Sequence, residues 1–168
     1  MKSRSEFDNI LDRSFFSRPT ALVARDLLGQ WLVHGKLRAR ISETEAYLPS
    51  GDEAAHSYAG LTKRTQVVFG PPGHAYVYLN YGIHFMLNIV VEQVGTPGCV
   101  LIRAAQPWSG PGRLTKAMGI NLSHYGADLT KGPLTIRRGN PVPDSCVAIT
   151  PRIGIRKAAE MPLRFLIA

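Results

Sequence analysis

Two carboxylates and a tyrosine, Glu43, Glu45 and Tyr47, stand at every second position of the stretch 39–47. In an extended strand, residues two apart share a face. Ala39, Ile41, Glu43, Glu45 and Tyr47 are therefore expected on one side, and Arg40, Ser42, Thr44 and Ala46 on the other. Acids that follow an apolar pair on one face break the pattern of a half-buried strand, and such local violations mark functional positions. A carboxylate in an apolar, aromatic pocket can act as a general base toward water. The structural alternative is an ordinary ion pair between Glu45 and Arg40 or Arg103. A polar loop then carries His56, and Tyr76, Tyr78 and Tyr81 follow in a second hairpin. Rings of this kind are stacking platforms for nucleobases, although tyrosine is also simply a good strand residue.

Three further side chains stand out by position. Tyr81 lies at the hairpin tip Asn80-Tyr81-Gly82, where it has nothing obvious to pack on; aromatic and apolar side chains so placed can wedge between base pairs. Asn88 is the one amide in the apolar strand His84–Val91, where it either reads a base edge or satisfies neighbouring backbone. Arg103 is expected to end the apolar strand 99–102, paired with Glu45 or sharing a water with it. The run Gly110-Pro111-Gly112-Arg113 opens a short helix, either as a phosphate-accepting N-terminus or as a plain turn. Lys63, Arg64, Arg113 and Lys116 are candidates for contacts to a nucleic-acid backbone. His56, His74, His84 and Glu45 are conceivable metal ligands, but no HExxH or other tight spacing joins them, so neither a metal nor another cofactor is expected.

The elements that must position these groups belong to a chain of 168 residues, the size of one ordinary domain. Hydrophobic residues make up 45% and charged residues 19%, which excludes a disordered tail or a coiled coil. Lys and Arg number 20 against 12 Asp and Glu, giving a net charge of +8. A basic domain attracts polyanions, nucleic acid first. Cys99 and Cys146 each sit in an apolar run and are expected as buried free thiols. The N-terminus lacks the apolar stretch of a signal peptide and no run reaches transmembrane length, so a cytoplasmic location, nucleoid-associated if the source is bacterial, is expected. Residues 1–18 read as an N-terminal arm with an apolar attachment at Phe15-Phe16, and 19–168 as a single domain. Thr20 is expected to cap a helix over 21–28 that Gly29 ends. Strands outnumber helices without βαβ alternation. The fold class is α+β: a compact domain with a curved mixed or antiparallel sheet and few helices.

Taken together, these residues resemble a known family. Its signatures are Ile41-Ser42-Glu43-Thr44-Glu45-Ala46-Tyr47, Asp52-Glu53-Ala54-Ala55-His56-Ser57, Phe69-Gly70-Pro71-Pro72-Gly73-His74-Ala75-Tyr76-Val77-Tyr78 and Tyr81-Gly82-Ile83-His84. Cys99-Val100-Leu101-Ile102-Arg103-Ala104, the segment 110–120, Phe16-Ser17-Arg18-Pro19-Thr20 and Pro151-Arg152-Ile153-Gly154-Ile155 complete the set. The chain is similar, in order and over nearly its whole length, to the 3-methyladenine DNA glycosylases of the alkyladenine type. The resemblance implies a single α/β domain without a helix-hairpin-helix. It implies a cofactor-free enzyme that flips alkylated or deaminated purines out of double-stranded DNA and hydrolyses the N-glycosidic bond; a monomer is the simplest expectation for an enzyme that tracks along DNA. By the same resemblance Glu45 activates the water and Arg103 helps hold it. Tyr47, His56 and Tyr78 sandwich the base beside Tyr76, Asn88 disfavours normal guanine, and Tyr81 fills the vacated stack. No lysine matches a Schiff-base nucleophile, so no strand-cutting lyase step is expected. Ser42 stands where the family has an apolar residue, and Thr65-Gln66 replaces a more usual asparagine-containing pair. The rival readings are a module that binds damaged or single-stranded nucleic acid without cleaving it, and a metal-dependent nucleotide hydrolase. Glu45→Gln separates the first from a glycosylase, and a chelator separates the second.

Overall fold

The computed structural model describes residues 9–168, so the first part of the expected arm, residues 1–8, lies outside the described residues. The helix α1 (Arg13–Phe16) is capped by Asp12, whose side chain accepts the Phe15 N–H, and it delivers Phe16 to the core with no exposed surface. In α2 (Thr20–Asp26) the expected cap is corrected: Pro19 holds the N-cap position. Thr20 lies inside the first turn, where its N–H and hydroxyl both donate to Glu92 at 2.7 Å. The carboxylate of a distant residue thus replaces the local cap. Val23, Ala24 and Leu27 are buried from this segment, and Gly29 turns the chain with φ +86°.

The strands are β1 (Trp31–His34), β2 (Leu37–Tyr47), β3 (Ala75–Asn80), β4 (His84–Val91), β5 (Gly98–Gln106), β6 (Trp108–Ser109), β7 (Leu134–Arg137), β8 (Val147–Thr150) and β9 (Arg164–Ile167). They form one sheet ordered β3-β4-β5-β2-β1-β7, with β6 on β5 and the β8-β9 hairpin on β2. Every pairing among these strands is antiparallel, so the sheet is not mixed. The strand expected to stop at Arg103 runs on to Gln106. One edge of β2 pairs with β5 from Arg40 to Tyr47, while its other edge is shared between β1 at Leu37–Arg40 and β9 at Glu43–Glu45. The third helix, α3 (Pro111–Met118), buries Leu114 and Met118. Among the described residues no helix is long and apolar enough to cross a membrane.

The two faces of the sheet do different work. One carries the main core, with Ala75 and Val77 from β3, Leu87 and Ile89 from β4, Val100 and Ile102 from β5 and Ala46 from β2 packed with α1, α2 and α3. On the opposite face Tyr76, Val90 and Cys99 form a smaller cluster with Tyr47 and Tyr78 against it. The alternation expected along β2 is overturned at its middle. Register shifts interrupt the β2–β5 pairing between Ile41 and Glu43 and again between Glu43 and Thr44: Ile41 faces Ala105, Glu43 faces Ala104 and Thr44 faces Ile102. Ser42 on β2 and Arg103 on β5 are left over, as residues of a bulge are. The extra residue sends Ala39 and Ile41 to the core face together with Ala46. Glu43, Glu45 and Tyr47 then lie on the other face, where Glu43 meets Arg103 and where Glu45 and Tyr47 line a cavity. The acids therefore do not share a face with the apolar pair that precedes them.

Candidate active site

The open face of β2, β3, β4 and β5 is the floor and wall of a cavity of about 470 Å³, within the range of small-ligand sites. Glu45, Tyr47, His56, Tyr76, Tyr78, Tyr81, Asn88 and Arg103, spread over about a third of the chain, all line it. The strand period explains the convergence: Tyr76 and Tyr78 leave β3 on the side away from Val77, and Asn88 leaves β4 opposite Tyr76 in register.

Glu45 has no exposed surface. A buried carboxylate is costly unless its oxygens are bonded, and both are. Oε1 accepts the Tyr47 hydroxyl at 3.0 Å, and Oε2 accepts the Ile153 N–H at 2.7 Å. Arg103 Nη1 stands 3.7 Å from Oε1. The guanidinium is aimed by Glu43, which accepts from Arg103 Nε at 3.1 Å and from Arg164 Nε at 2.6 Å. Of the two structural alternatives for Glu45, the contact with Arg103 is present, whereas Arg40 reaches Asn140 O. Burial and the neighbouring Glu45 charge hold the Tyr47 phenol well above its ordinary range, so it stays a donor.

The aromatic walls are interlocked. The His56 ring meets Tyr78 with centroids 4.5 Å apart and Tyr76 at 5.9 Å, and Tyr76 and Tyr78 lie 5.4 Å apart. His56 Nδ1 and the Tyr76 hydroxyl are bonded at 2.8 Å. Burial, helped by the charge of Arg64, pushes His56 down to about 4, so the ring is neutral at neutral pH. Burial also pushes the Tyr78 phenol up to about 12. Asn88 is buried and donates from Nδ2 to Tyr76 O at 3.2 Å, so this amide does tie to backbone.

At the mouth, Tyr81 is 87% exposed on the turn between β3 and β4. It adopts φ +52° and Gly82 φ +66°. A left-handed conformation costs a non-glycine residue about 1–2 kcal/mol, and such outliers cluster at functional positions. The hairpin base is braced by α3: a Cβ added at Gly112 would stand 2.6 Å from the His84 ring, so glycine permits this approach. Arg64 sits at the rim with its guanidinium 5.8 Å from the Tyr78 ring centre, on a loop whose Arg64 carbonyl accepts the Tyr125 hydroxyl at 2.7 Å. Lys63, Arg113 and Lys116 are exposed and do not line the cavity. Among the described residues no three His, Cys, Asp or Glu side chains gather as metal ligands. Cys99 is buried in the cavity wall, as expected, but Cys146 is exposed, because it ends a short turn ahead of the edge strand β8.

The family model of the methylpurine-DNA glycosylases matches residues 14–110 and 107–168. The chain belongs to the methylpurine-DNA glycosylase family. A relative from Chlorobaculum tepidum, named as a candidate 3-methyladenine DNA glycosylase, is 40% identical over 94% of this chain and 87% of its own. Relatives with the same description from Methanoculleus marisnigri and Myxococcus xanthus are 45% and 46% identical, over 92% and 88% of this chain and 93% and 82% of theirs. Membership in this family carries the broad activity of a DNA glycosylase, a hydrolase of N-glycosyl bonds.

Three supports behind the cavity have roles that single residues do not reveal. Glu43 aims Arg103, the backbone N–H of Ile153 holds Glu45, and a buried ion pair joins Asp52 to Arg152 at 2.6 and 2.8 Å. The acid at 43 was visible in the alternation. The partners at 152 and 153 were visible only as part of a family-like segment without a role.

Proposed function

We propose that this glycosylase takes a damaged purine from duplex DNA into the cavity and hydrolyses its bond to the sugar with water activated by Glu45. The observation that carries the reading is the Glu45 carboxylate, fully buried yet bonded on both oxygens and facing an aromatic-walled cavity beside Arg103. A base must leave the stack to be reached, and damaged bases cost less to extrude. Tyr47, His56 and Tyr78 would hold the flipped base, with Tyr76 fixing His56. As the N-glycosyl bond breaks, its electron pair leaves with the purine and positive charge builds on the sugar. Glu45 stabilises that charge and takes the proton of the attacking water, while Arg103 orients the water. Alkylated purines such as 3-methyladenine and 7-methylguanine are cationic and leave without a further proton, and tyrosine faces favour them by about 0.5–2 kcal/mol. Hypoxanthine and ethenoadenine need a proton on the leaving base, which in this reading solvent water supplies as the bond breaks. His56, neutral at neutral pH, acts in this reading as a stacking wall that can offer one hydrogen bond. Asn88 limits the room at the cavity floor for the exocyclic amine of guanine. The product is an abasic site, with no lyase step.

The test is base release from duplexes carrying 3-methyladenine or ethenoadenine, with EDTA present. Release of free base with an intact abasic strand is the expected result. Tight lesion binding without release supports a binding module instead, and release abolished by EDTA supports a metal hydrolase.

Tyr81 is proposed as the wedge that occupies the vacated stack, with Lys63, Arg64, Arg113 and Lys116 as contacts to the DNA backbone. Tyr81→Ala removes an exposed ring and keeps a Cβ at the same left-handed φ, so the backbone strain is unchanged and the fold is retained. Unstacking costs a few kcal/mol per step. The variant is therefore expected to lose about tenfold or more in lesion binding to duplex, and much less to the same lesion in a single strand. Binding titrations on the two substrates check this, and equal losses on both remove the wedge.

A further inference from the structure

The pair Asp52–Arg152 joins β2 to the segment that follows β8, beside the two groups that donate to Glu45. Both side chains are completely buried. Arg152 donates to both carboxylate oxygens of Asp52, and the same guanidinium donates to Ala46 O at 3.0 Å and Ala158 O at 3.2 Å. Ala46 separates Glu45 from Tyr47 on β2, so Arg152 grips the backbone between the two. Its guanidinium carbon lies 4.8 Å from the centre of the Tyr47 ring, the ring whose hydroxyl holds Glu45 Oε1. The next residue, Ile153, supplies the N–H on Glu45 Oε2. Asp52 in turn accepts the N–H groups of Leu48 and Ala54, which folds the loop that leads to His56. Burial opposes the charge of Asp52, but the Arg152 bond and these N–H groups more than offset it, and the carboxyl is held below its ordinary range.

Stability alone is a poor reason for this arrangement. A buried ion pair is often no more stabilising than well-packed apolar residues of the same volume. Here the Arg152 Nε–H is also buried without an acceptor among the described residues. What the fork geometry provides is direction: a planar guanidinium fixes several acceptors at once, which a lysine cannot do.

We infer that Asp52 and Arg152 are positioning residues for base excision, holding the Glu45 carboxylate in its reactive orientation through the Ile153 N–H and the Tyr47 ring. The inference rests on the reading of Glu45 as the base for water. Loss of the pair slows bond breaking more than it weakens lesion binding, because Tyr78 stands on β3 outside the clamp, whereas Tyr47 and the loop leading to His56 lose a support.

The experiment is single-turnover release of ethenoadenine from duplex, with lesion affinity measured alongside, for wild type, Asp52→Asn, Arg152→Met, Arg152→Lys and Glu45→Gln. Misplacing a reacting group by about 1 Å costs on the order of 100-fold in rate. Asp52→Asn and Arg152→Met are expected to lose about 10- to 100-fold in the rate constant, with a clearly smaller loss of lesion affinity and full amplitude from the folded fraction. Arg152→Lys, which keeps the charge without the fork, is expected to stay slow. A purely structural pair would lower the amplitude, the folded fraction, and leave the rate constant alone; that result overturns the inference. Should Arg152→Met fail to fold, Asp52→Asn keeps the shape of the side chain and one of its two backbone N–H bonds, and it decides the question. Glu45→Gln at wild-type rate overturns the reading of Glu45 and the clamp with it. A slow Glu45→Gln beside fast pair variants overturns the clamp alone.

Discussion

Glu45→Gln is expected to bind lesion-containing duplex as wild type does and to release base about 10²–10⁴-fold more slowly, the range that positioned general-base catalysis supplies. The substitution keeps volume and shape in a site with no exposed surface, and the amide can still accept the Ile153 N–H that Glu45 Oε2 accepts at 2.7 Å. It removes the charge that faces the developing cation and the acceptor for the proton of water. Arg103 retains Glu43 at 3.1 Å, and the Tyr47 hydroxyl, which donates to Glu45 Oε1, turns to accept from the new amide N–H. A change confined to the chemical step follows from that geometry. Single-turnover release together with a binding titration checks it, and excision near the wild-type rate would falsify the assignment of Glu45.

Phe16→Ala is expected to have the largest effect on stability. The ring has no exposed surface, meets Phe15 edge-on with centroids 5.2 Å apart, and backs directly onto Gly73, where an added Cβ would stand 3.1 Å from it. Rigid backbone on that side prevents collapse, so the cavity term adds to the transfer term and the loss is about 3–5 kcal/mol. For a domain of this size each kcal/mol moves Tm by about 2–4 °C, giving a drop of about 6–20 °C. Phe16 belongs to the main core on the face of the sheet away from Glu45. The rate constant of the folded fraction is therefore expected to persist at low temperature. A thermal melt with a shift of a degree or less would show that α1 is only loosely attached.

The family and the broad activity were legible in the chain, because its motifs run in order from Phe16 to Ile155 and the family model matches nearly all of it. The α+β class and the aromatic wall were legible for a local reason. A strand repeats every two residues, so Tyr76 and Tyr78 had to part from Ala75 and Val77, and they did. The turn at Tyr81 was legible from Asn80 and Gly82, although the positive φ of Tyr81 itself was not.

What only the tertiary structure decided involves partners distant in the chain. Alternation by itself puts Ala39 and Ile41 beside Glu43 and Glu45. The bulge that separates them is a property of the pairing with β5, since an extra residue exists only relative to a neighbouring strand. Arg103 stands within β5, not at its end, and it points at Glu45 because Glu43, 60 residues away, holds its Nε. Asp52 meets Arg152 across 100 residues, and Ile153 reaches Glu45 across 108. The sequence by itself determined which residues can do the chemistry, since that depends on side-chain type and local period. Their orientation was decided by long-range pairing, because a hydrogen bond between segments far apart in the chain leaves no periodic trace in either.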